Sequence, residues 1–370
     1  MTAHTTPSPV GVGIIGLSTT GGWAADAHVP ALRSLPEFEL RAVSASTAES
    51  ARSAAEVFDV PYAAQNAADL VARDDVDLVV VTVKVPHHFE LVMAALAAGK
   101  DVYCEWPLGN GLAEATEMAD AAEAAQRHAF VGLQARSSPT LRYMRDLIAA
   151  GFIGEPLSTS LIGSGGQWGG TTDTRNEYLY DARSGASLVT IPLGHTLDAM
   201  AMVLGEFADL TSTQAIMRPT VLNTDTGQTI TVDVSDHIVV SGVLDSGPVA
   251  MLHFRGGHSR ATNLFWEVNG TEGDLVLTGN TGHLQLAQVT LNGVTRGGTA
   301  LAELRVPSQY HLAPTPYADS RVTNVANAYA QVYRDLSDGT REVPTFHDAV
   351  VRHQVLEQLT PQASTPSTTR

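Results

Sequence analysis

The sequence predicts an α/β chain with two sheets of different kind: a parallel sheet first, then a C-terminal α/β part with a mainly antiparallel sheet. Three observations carry this. Between Val10 and Leu133, five short apolar runs alternate with alanine-rich helical stretches, as parallel strands buried on both faces and their crossover helices do. After Leu133 the runs alternate apolar and polar residues and are separated by turn residues, the mark of a sheet with one covered face. The length of 370 residues favours two domains over one at roughly 100–200 residues each.

Taken in order, the parallel strands are expected at 10–16, 38–45, 76–83, 100–106 and 129–134. The segments AESARSAAEVF, FELVMAALAAG and EATEMADAAEAAQ supply the helices, each with small or apolar residues at helical spacing. TLRYMRDLIAAGFIG reads as a helix stopped near Gly151. LSTSLIGSGG, QTITVDVSDHIVVSGVLDSG, PVAMLHFRG, NLFWEVNGTEGDLVLTG and GHLQLAQVTLNG read as strands, with turns at Asp245-Ser246-Gly247 and Asn269-Gly270. VTNVANAYAQVYRDL and FHDAVVRHQVLEQL close the chain as helices. The expected domains are 8–134 and 135–361, flanked by disordered polar tails at 1–7 and 362–370.

Composition narrows the function classes. Hydrophobic residues make up 44% of the chain, enough for two cores, and 22 basic against 39 acidic residues give a net charge of −17. That balance argues against a nucleic-acid partner and against an anionic membrane surface. A single cysteine, Cys104, excludes an internal disulfide and a Cys-rich zinc site. With no signal-peptide core and no run near the ~20 apolar residues of a span, a cytoplasmic location is expected. Thirteen histidines offer no set at ligand spacing, so no metal is predicted.

A strand opening through a Gly-rich turn into a helix is the context in which a dinucleotide binds. Gly11-x-Gly13-x-x-Gly16 matches the usual pattern, but its first two glycines fall inside the strand. The relevant turn is Gly16-Leu17-Ser18-Thr19-Thr20-Gly21-Gly22-Trp23, where glycines let the backbone approach a pyrophosphate. The second strand ends Val43-Ser44-Ala45-Ser46-Thr47 without the acidic residue that holds the ribose hydroxyls of NAD. Ser46 and Thr47, with Arg41 or Arg52 nearby, suit a 2′-phosphate and favour NADP over NAD. Ser46-Thr47 is equally a helix cap. Lys84 comes after the apolar run VDLVVVTV at its carboxyl end, where ligands bind in such sheets. It is a candidate for the dinucleotide or for proton transfer.

Several segments together resemble the glucose–fructose oxidoreductase/inositol dehydrogenase (Gfo/Idh/MocA) family. They are GIIG with AHVPAL (27–32), HFELVMAALAAGKDVYCEWP (88–107), GLQARSSPTLRYMRDLIAAGFIGEP (132–156), GHTLDAM (194–200), GTEGDLVLTG (270–279) and HDAVVRHQVLEQL (347–359). The resemblance implies an N-terminal Rossmann domain and a C-terminal α/β domain with a large open, mainly antiparallel sheet. The turn LSTTGGW, the EWP at 105–107, Tyr180-Asp181 and LVTIPLGHTLD resemble more closely a subgroup typified by the fungal repressor of the galactose pathway. That subgroup implies a dinucleotide-binding regulator.

The chain departs from the sugar-oxidising pattern at its chemistry. The family lysine is Trp106, and the aspartate expected four residues before His195 is Ile191. His195 remains as base, with Asp198 three residues on to orient it; an ordinary buried histidine is the alternative. Tyr180 is a second proton-exchange candidate and Lys84 a third. The resemblance places Val83, Lys84, Glu105, Trp106, Pro107 and Gln134 beside the dinucleotide. Trp106, Arg136, Gln167, Trp168, Tyr180, Asp181 and His195 are the substrate-side candidates, Trp168 being either a sugar-stacking ring or a core residue. Three functions are compatible with this set: an NAD(P)-dependent oxidoreductase acting on a sugar or sugar-like alcohol or ketone, a catalytically silent dinucleotide sensor, or a redox-assisted lyase or glycosidase. A homodimer or homotetramer through the C-terminal sheet is expected.

Overall fold

A computed structural model describes residues 8–314 and 319–359. The expected tails 1–7 and 362–370 lie outside the described residues. Two compact units are present. Among the described residues, the first holds 8–109, Ala113–Ser137, 311–314 and 319–350; the second holds Asn110–Leu112, Ser138–Tyr310 and 351–359.

The first unit is built on a six-stranded parallel sheet: β1 (Val10–Ile15), β2 (Phe38–Ser44), β3 (Tyr62–Ala63), β4 (Leu78–Val81), β5 (Asp101–Glu105) and β6 (Ala129–Gly132), in spatial order β3-β2-β1-β4-β5-β6. The strand β4 is buried at all four positions, which is why its sequence, Leu78-Val79-Val80-Val81, is apolar throughout. Five of the strands are legible in the sequence; β3, two residues at the edge, carries too little pattern to be read. The crossovers are α1 (Val29–Arg33), α2 (Ala48–Val57), α3 (Ala67–Val71), α4 (His88–Ala97) and α5 (Leu112–Ala125). Thr47 caps α2 by accepting from the Ser50 amide, and Asn66 caps α3 in the same way.

Gly11 and Gly13 lie inside β1. A Cβ on Gly11 would fall 2.1 Å from the Asp75 carbonyl oxygen, and one on Gly13 would fall 2.7 Å from Leu70. These glycines serve packing, and Gly16, at φ +104°, ends the strand.

The second unit carries α6 (Pro139–Ala149), β7 (Pro156–Gly165), β8 (Thr171–Thr172), α7 (Gly194–Leu204), β9 (Phe207–Ala215), β10 (Thr220–Asn223), β11 (Thr229–Thr231), β12 (His237–Leu244), β13 (Val249–Gly256), β14 (Leu264–Gly270), β15 (Gly273–Gly279), β16 (Val289–Thr295) and β17 (Ala302–Glu303). Eight of these strands form one sheet in the order β17-β16-β15-β14-β7-β13-β12-β9. Its ladders are antiparallel except β7–β13. On β12 and β13, Ile238, Val240, Leu252 and Phe254 are buried while Val239, Val243, Val249 and Met251 are exposed. The expected turn at Asn269-Gly270 sits one step later, at Thr271-Glu272, because Gly270 still pairs as part of β14.

The last two helices are α8 (Ser320–Asp338) and α9 (Phe346–Leu359). The sequence assigns α8 to the domain 135–361. In the structure it packs within the first unit, where Val322, Val325, Ala326, Tyr329 and Val332 share a core with Val12, Ile14, Leu32 and Tyr103. An amphipathic helix reveals its apolar face but not the sheet layer it will cover.

Strand direction decides which loops of the second unit meet. Strands β7 and β13 run parallel, β14 runs against β7, and β15 runs against β14. The chain therefore leaves β7, β13 and β15 at the same edge of the sheet.

Candidate active site

In the first unit the turn after β1 has the form a phosphate cradle needs. Gly21 is at φ +89° with open space where a Cβ would stand, and Gly22 is at φ +125°. Leu17 is buried and Ser18 half-buried, with Ser18 Oγ 2.9 Å from Thr20 Oγ1. Thr19 is exposed. Gly16 is fixed by its surroundings, since a Cβ there would meet Val83 Cγ1 at 2.8 Å. Ser46 and Thr47 are exposed at the start of α2; Thr47 is engaged as its cap. Arg41 pairs with Glu39 at 2.8 Å. Lys84 is exposed after β4.

At the carboxyl end of β5 lies a polar chain. Tyr329 Oη is 2.7 Å from His28 Nδ1, His28 Nε2 is 2.9 Å from Glu105 Oε1, and Gln134 Nε2 reaches both Glu105 oxygens at 2.7 and 2.9 Å. His28 and Tyr329 are fully buried, while the Glu105 side chain keeps 12% exposure. An ionised Glu105 only accepts, so His28 Nε2 carries its proton and a neutral ring leaves Nδ1 to accept from Tyr329. Burial, aided by Glu105, pushes the Tyr103 hydroxyl well above the usual tyrosine range. Two polar atoms here have no partner: Trp23 Nε1 and Gln134 Oε1. Both residues border His28 or its partner Glu105. Trp106 is buried, and the Trp106–Pro107 bond is cis. His88 spans the two turns, its Nδ1 2.9 Å from the Pro107 carbonyl oxygen and its Nε2 3.0 Å from that of Val83.

These residues fit a dinucleotide: an open Gly-rich turn after the first strand with the orphaned Trp23 Nε1 at its end, and the orphaned Gln134 Oε1 beside Glu105 two strands away.

The second unit gathers imidazoles at the sheet edge defined by β7, β13 and β15. The loop after β7 carries Gln167 and Trp168, that after β13 carries His258, and that after β15 carries His283. His195 stands at the start of α7. Trp168 is at φ +60°, an unusual conformation for a bulky residue. Its ring is buried, stacks on His283 at 5.9 Å and donates from Nε1 to the Leu179 carbonyl at 2.8 Å. Burial, then His283, pushes His195 down to about 3; burial, then His258, pushes His283 down to about 4. His195 Nδ1 and His283 Nε2 have no hydrogen-bond partner. The expected helper of His195 is committed elsewhere: Asp198, fully buried, lies 3.7 Å from Arg352 Nε, and Arg352 pairs with Glu206 at 2.6 Å.

The other sequence-predicted residues have definite places. Tyr180 is buried and donates to the Thr171 carbonyl at 3.3 Å. Burial raises its pKa, opposite to what a tyrosine acid needs. Asp181 caps the turn 182–184 and holds Arg183 at 2.6 Å. Arg136 pairs with Asp348 at 3.2 Å. Gln167 gives its carbonyl to the Gly257 amide at 2.7 Å. Sequence reasoning misses His28, His88, His258, His283 and Tyr329. His28 has a signal in AHVPAL; His283 has none, because its partners come from distant loops. Among the described residues no group of three or more His, Cys, Asp or Glu side chains is placed to hold a metal. No helix there is long and apolar enough to cross a membrane.

Comparison with known proteins agrees with this architecture. Residues 10–133 match the oxidoreductase family with an NAD-binding Rossmann fold, and residues 139–279 match the Gal80p C-terminal domain. The dehydrogenase aclE of Aspergillus oryzae is 31% identical, over 94% of each chain. The chain belongs to the Gfo/Idh/MocA oxidoreductase family. Within that family it is also similar to a regulator. The galactose/lactose metabolism regulatory protein GAL80 of Kluyveromyces lactis is 30% identical, over 78% of this chain and 68% of that one. A super-repressor mutant of Gal80p from Saccharomyces cerevisiae shares the fold, with a TM-score of 0.85, 24% identity and 95% coverage of both chains.

Proposed function

We propose that this family member is an NAD(P)-dependent oxidoreductase acting on a sugar or sugar-like alcohol or ketone, with NADP preferred. The observation that supports it most is His195: a buried imidazole, neutral down to about pH 3, with one ring nitrogen unpartnered. A neutral imidazole donates one hydrogen bond and accepts another. So low a pKa makes a weak base and leaves an effective N–H donor. His195 therefore serves reduction best, steadying the oxygen on which negative charge develops as a carbonyl is reduced.

A bound nicotinamide supplies the carbon that gives or takes hydride. The chain does the rest. Backbone amides of the turn at Leu17, Ser18, Thr19, Gly22 and Trp23 bind pyrophosphate, while Gly16, whose own amide donates to the Ser44 carbonyl at 2.9 Å, shapes the turn. Ser46 and Thr47, at the N-terminus of α2, bind a 2′-phosphate with Arg52. Val83, Lys84, Glu105, Trp106, Pro107 and Gln134 line the nicotinamide side. Arg136, Gln167, Trp168 and Asp181 are the substrate contacts, and Tyr180 shapes its loop.

A single-turnover assay tests this. Protein at concentrations matching the dinucleotide is mixed with pooled aldoses, polyols and ketoses, and the absorbance of reduced nicotinamide is tracked. The expected signal is lost at least about a hundredfold in His195→Phe without weaker dinucleotide binding. Titration with NADPH and NADH should show tighter NADPH, and Ser46→Asp should reverse that order. A second reading has its own support: Trp106 and Ile191 stand where the family's acid/base groups are expected, and one relative is a regulator. Dinucleotide binding with no hydride transfer to any carbohydrate would favour the sensor. We also assign a second copy of the chain to the exposed apolar face of β12 and β13. Light scattering should give a dimer or tetramer, and a monomer would contradict it.

A further inference from the structure

We propose that Tyr329, His28 and Gln134 hold Glu105 as a fixed carboxylate that makes the dinucleotide site prefer oxidised, positively charged nicotinamide over the reduced, neutral form. This deepens the oxidoreductase reading and rests on it.

Placement comes first. The spatial order is β1-β4-β5, and strands lie about 4.8 Å apart. Glu105, the last residue of β5, therefore stands about 10 Å across the carboxyl edge from the Gly-rich turn after β1. A dinucleotide anchored by its pyrophosphate at that turn extends one nucleoside in this direction. Gln134 Oε1, an acceptor on a residue only 1% exposed, is buried there without a partner, and Trp23 Nε1, a donor at the end of the Gly-rich turn whose ring packs edge-on to His28, is buried without one as well. One orphan beside the carboxylate and a second at the turn are what a ligand reaching from the turn to Glu105 with its own donor and acceptor would satisfy.

The hydrogen bonds then hold the carboxylate in place. Glu105 Oε1 receives His28 Nε2–H and Gln134 Nε2–H, and Oε2 receives Gln134 Nε2–H. Tyr329, deep in α8, donates to His28 Nδ1 and so fixes which nitrogen faces Glu105. His28 and Tyr329 are positioning residues; Glu105 is the contact. A carboxylate in a partly buried setting attracts a pyridinium charge and gains nothing comparable from the neutral reduced ring.

The test is equilibrium binding by the whole protein. Affinities for NADP+ and NADPH, and for NAD+ and NADH, are measured by tryptophan quenching and nicotinamide fluorescence. Glu105→Gln should shift the oxidised-to-reduced affinity ratio at least about tenfold towards the reduced form. Tyr329→Phe keeps the ring and removes the donor, and should shift it about two- to threefold the same way. A structural role alone would weaken both forms equally. An unmoved ratio in Glu105→Gln, with binding retained, overturns this inference and leaves the oxidoreductase reading intact. A wild-type chain that binds neither form overturns both.

Discussion

Each unit buries imidazoles beside a candidate binding site, and the two differ in how those imidazoles are satisfied. At the end of β5 every imidazole nitrogen of His28 has a partner, and Glu105 is held by two side chains. At the sheet edge of the second unit, His195 and His283 are buried with a ring nitrogen unpartnered on each. A satisfied buried network stabilises the fold and fixes a charge in place. An unsatisfied one costs stability in the free protein and is retained where a ligand completes it. The first arrangement suits a charge that must stay put, the second a neutral group that must meet a substrate oxygen.

The second unit also contains a paired cluster. Arg352 is fully buried against Glu206 and Asp198. Arg352→Ala takes the buried cation away from both carboxylates and should cost about 3–5 kcal/mol in urea unfolding, the largest effect expected. Next, His28→Phe leaves the Tyr329 hydroxyl without its acceptor and Glu105 without one of its donors. It should cost about 2–3 kcal/mol, while Tyr329→Phe should cost less.

Acid should break the second unit's arrangement. His195, His283 and His353 are pushed down to about 3, 4 and 4 from 6.5, so the unfolded chain binds more protons. Stability from these groups is complete above about pH 6.5 and falls as pH drops towards 4. By pH 5 each removes on the order of 2 kcal/mol. Urea midpoints at pH 7.5 and 5 would measure the fall, and His283→Phe should flatten it. The smallest effect is expected at the surface: Arg183→Ala breaks an exposed pair with Asp181 and should leave the melting temperature unchanged.

The first unit is largely legible in the sequence because its strands are compact apolar runs and its helices carry small or apolar residues at helical spacing. Thr47 caps α2, one of the two roles the sequence offers it, and in the second unit Gly151 follows α6 as the expected glycine stop. Less legible are α8, whose apolar face names no target, and the two-residue β3. Of the candidate site, the Gly-rich turn can be read from local pattern, whereas His195 stands out only through the resemblance of GHTLDAM to the family. The pairing of Asp198 with Arg352 cannot, because 154 positions separate them. Tyr180 reads as an acid because its chemistry permits it; its burial and its bond to Thr171 are decided by tertiary packing. His283 has no local signal at all: it meets Trp168 only because β7 and β15 run the same way.

The most direct test is one variant measured twice. His195→Phe removes the orphaned nitrogen from the second unit, so its unfolding free energy should stay within about 1 kcal/mol of wild type or rise, while single-turnover hydride transfer is lost. A variant that is strongly destabilised yet still reduces or oxidises nicotinamide at the wild-type rate would contradict the account.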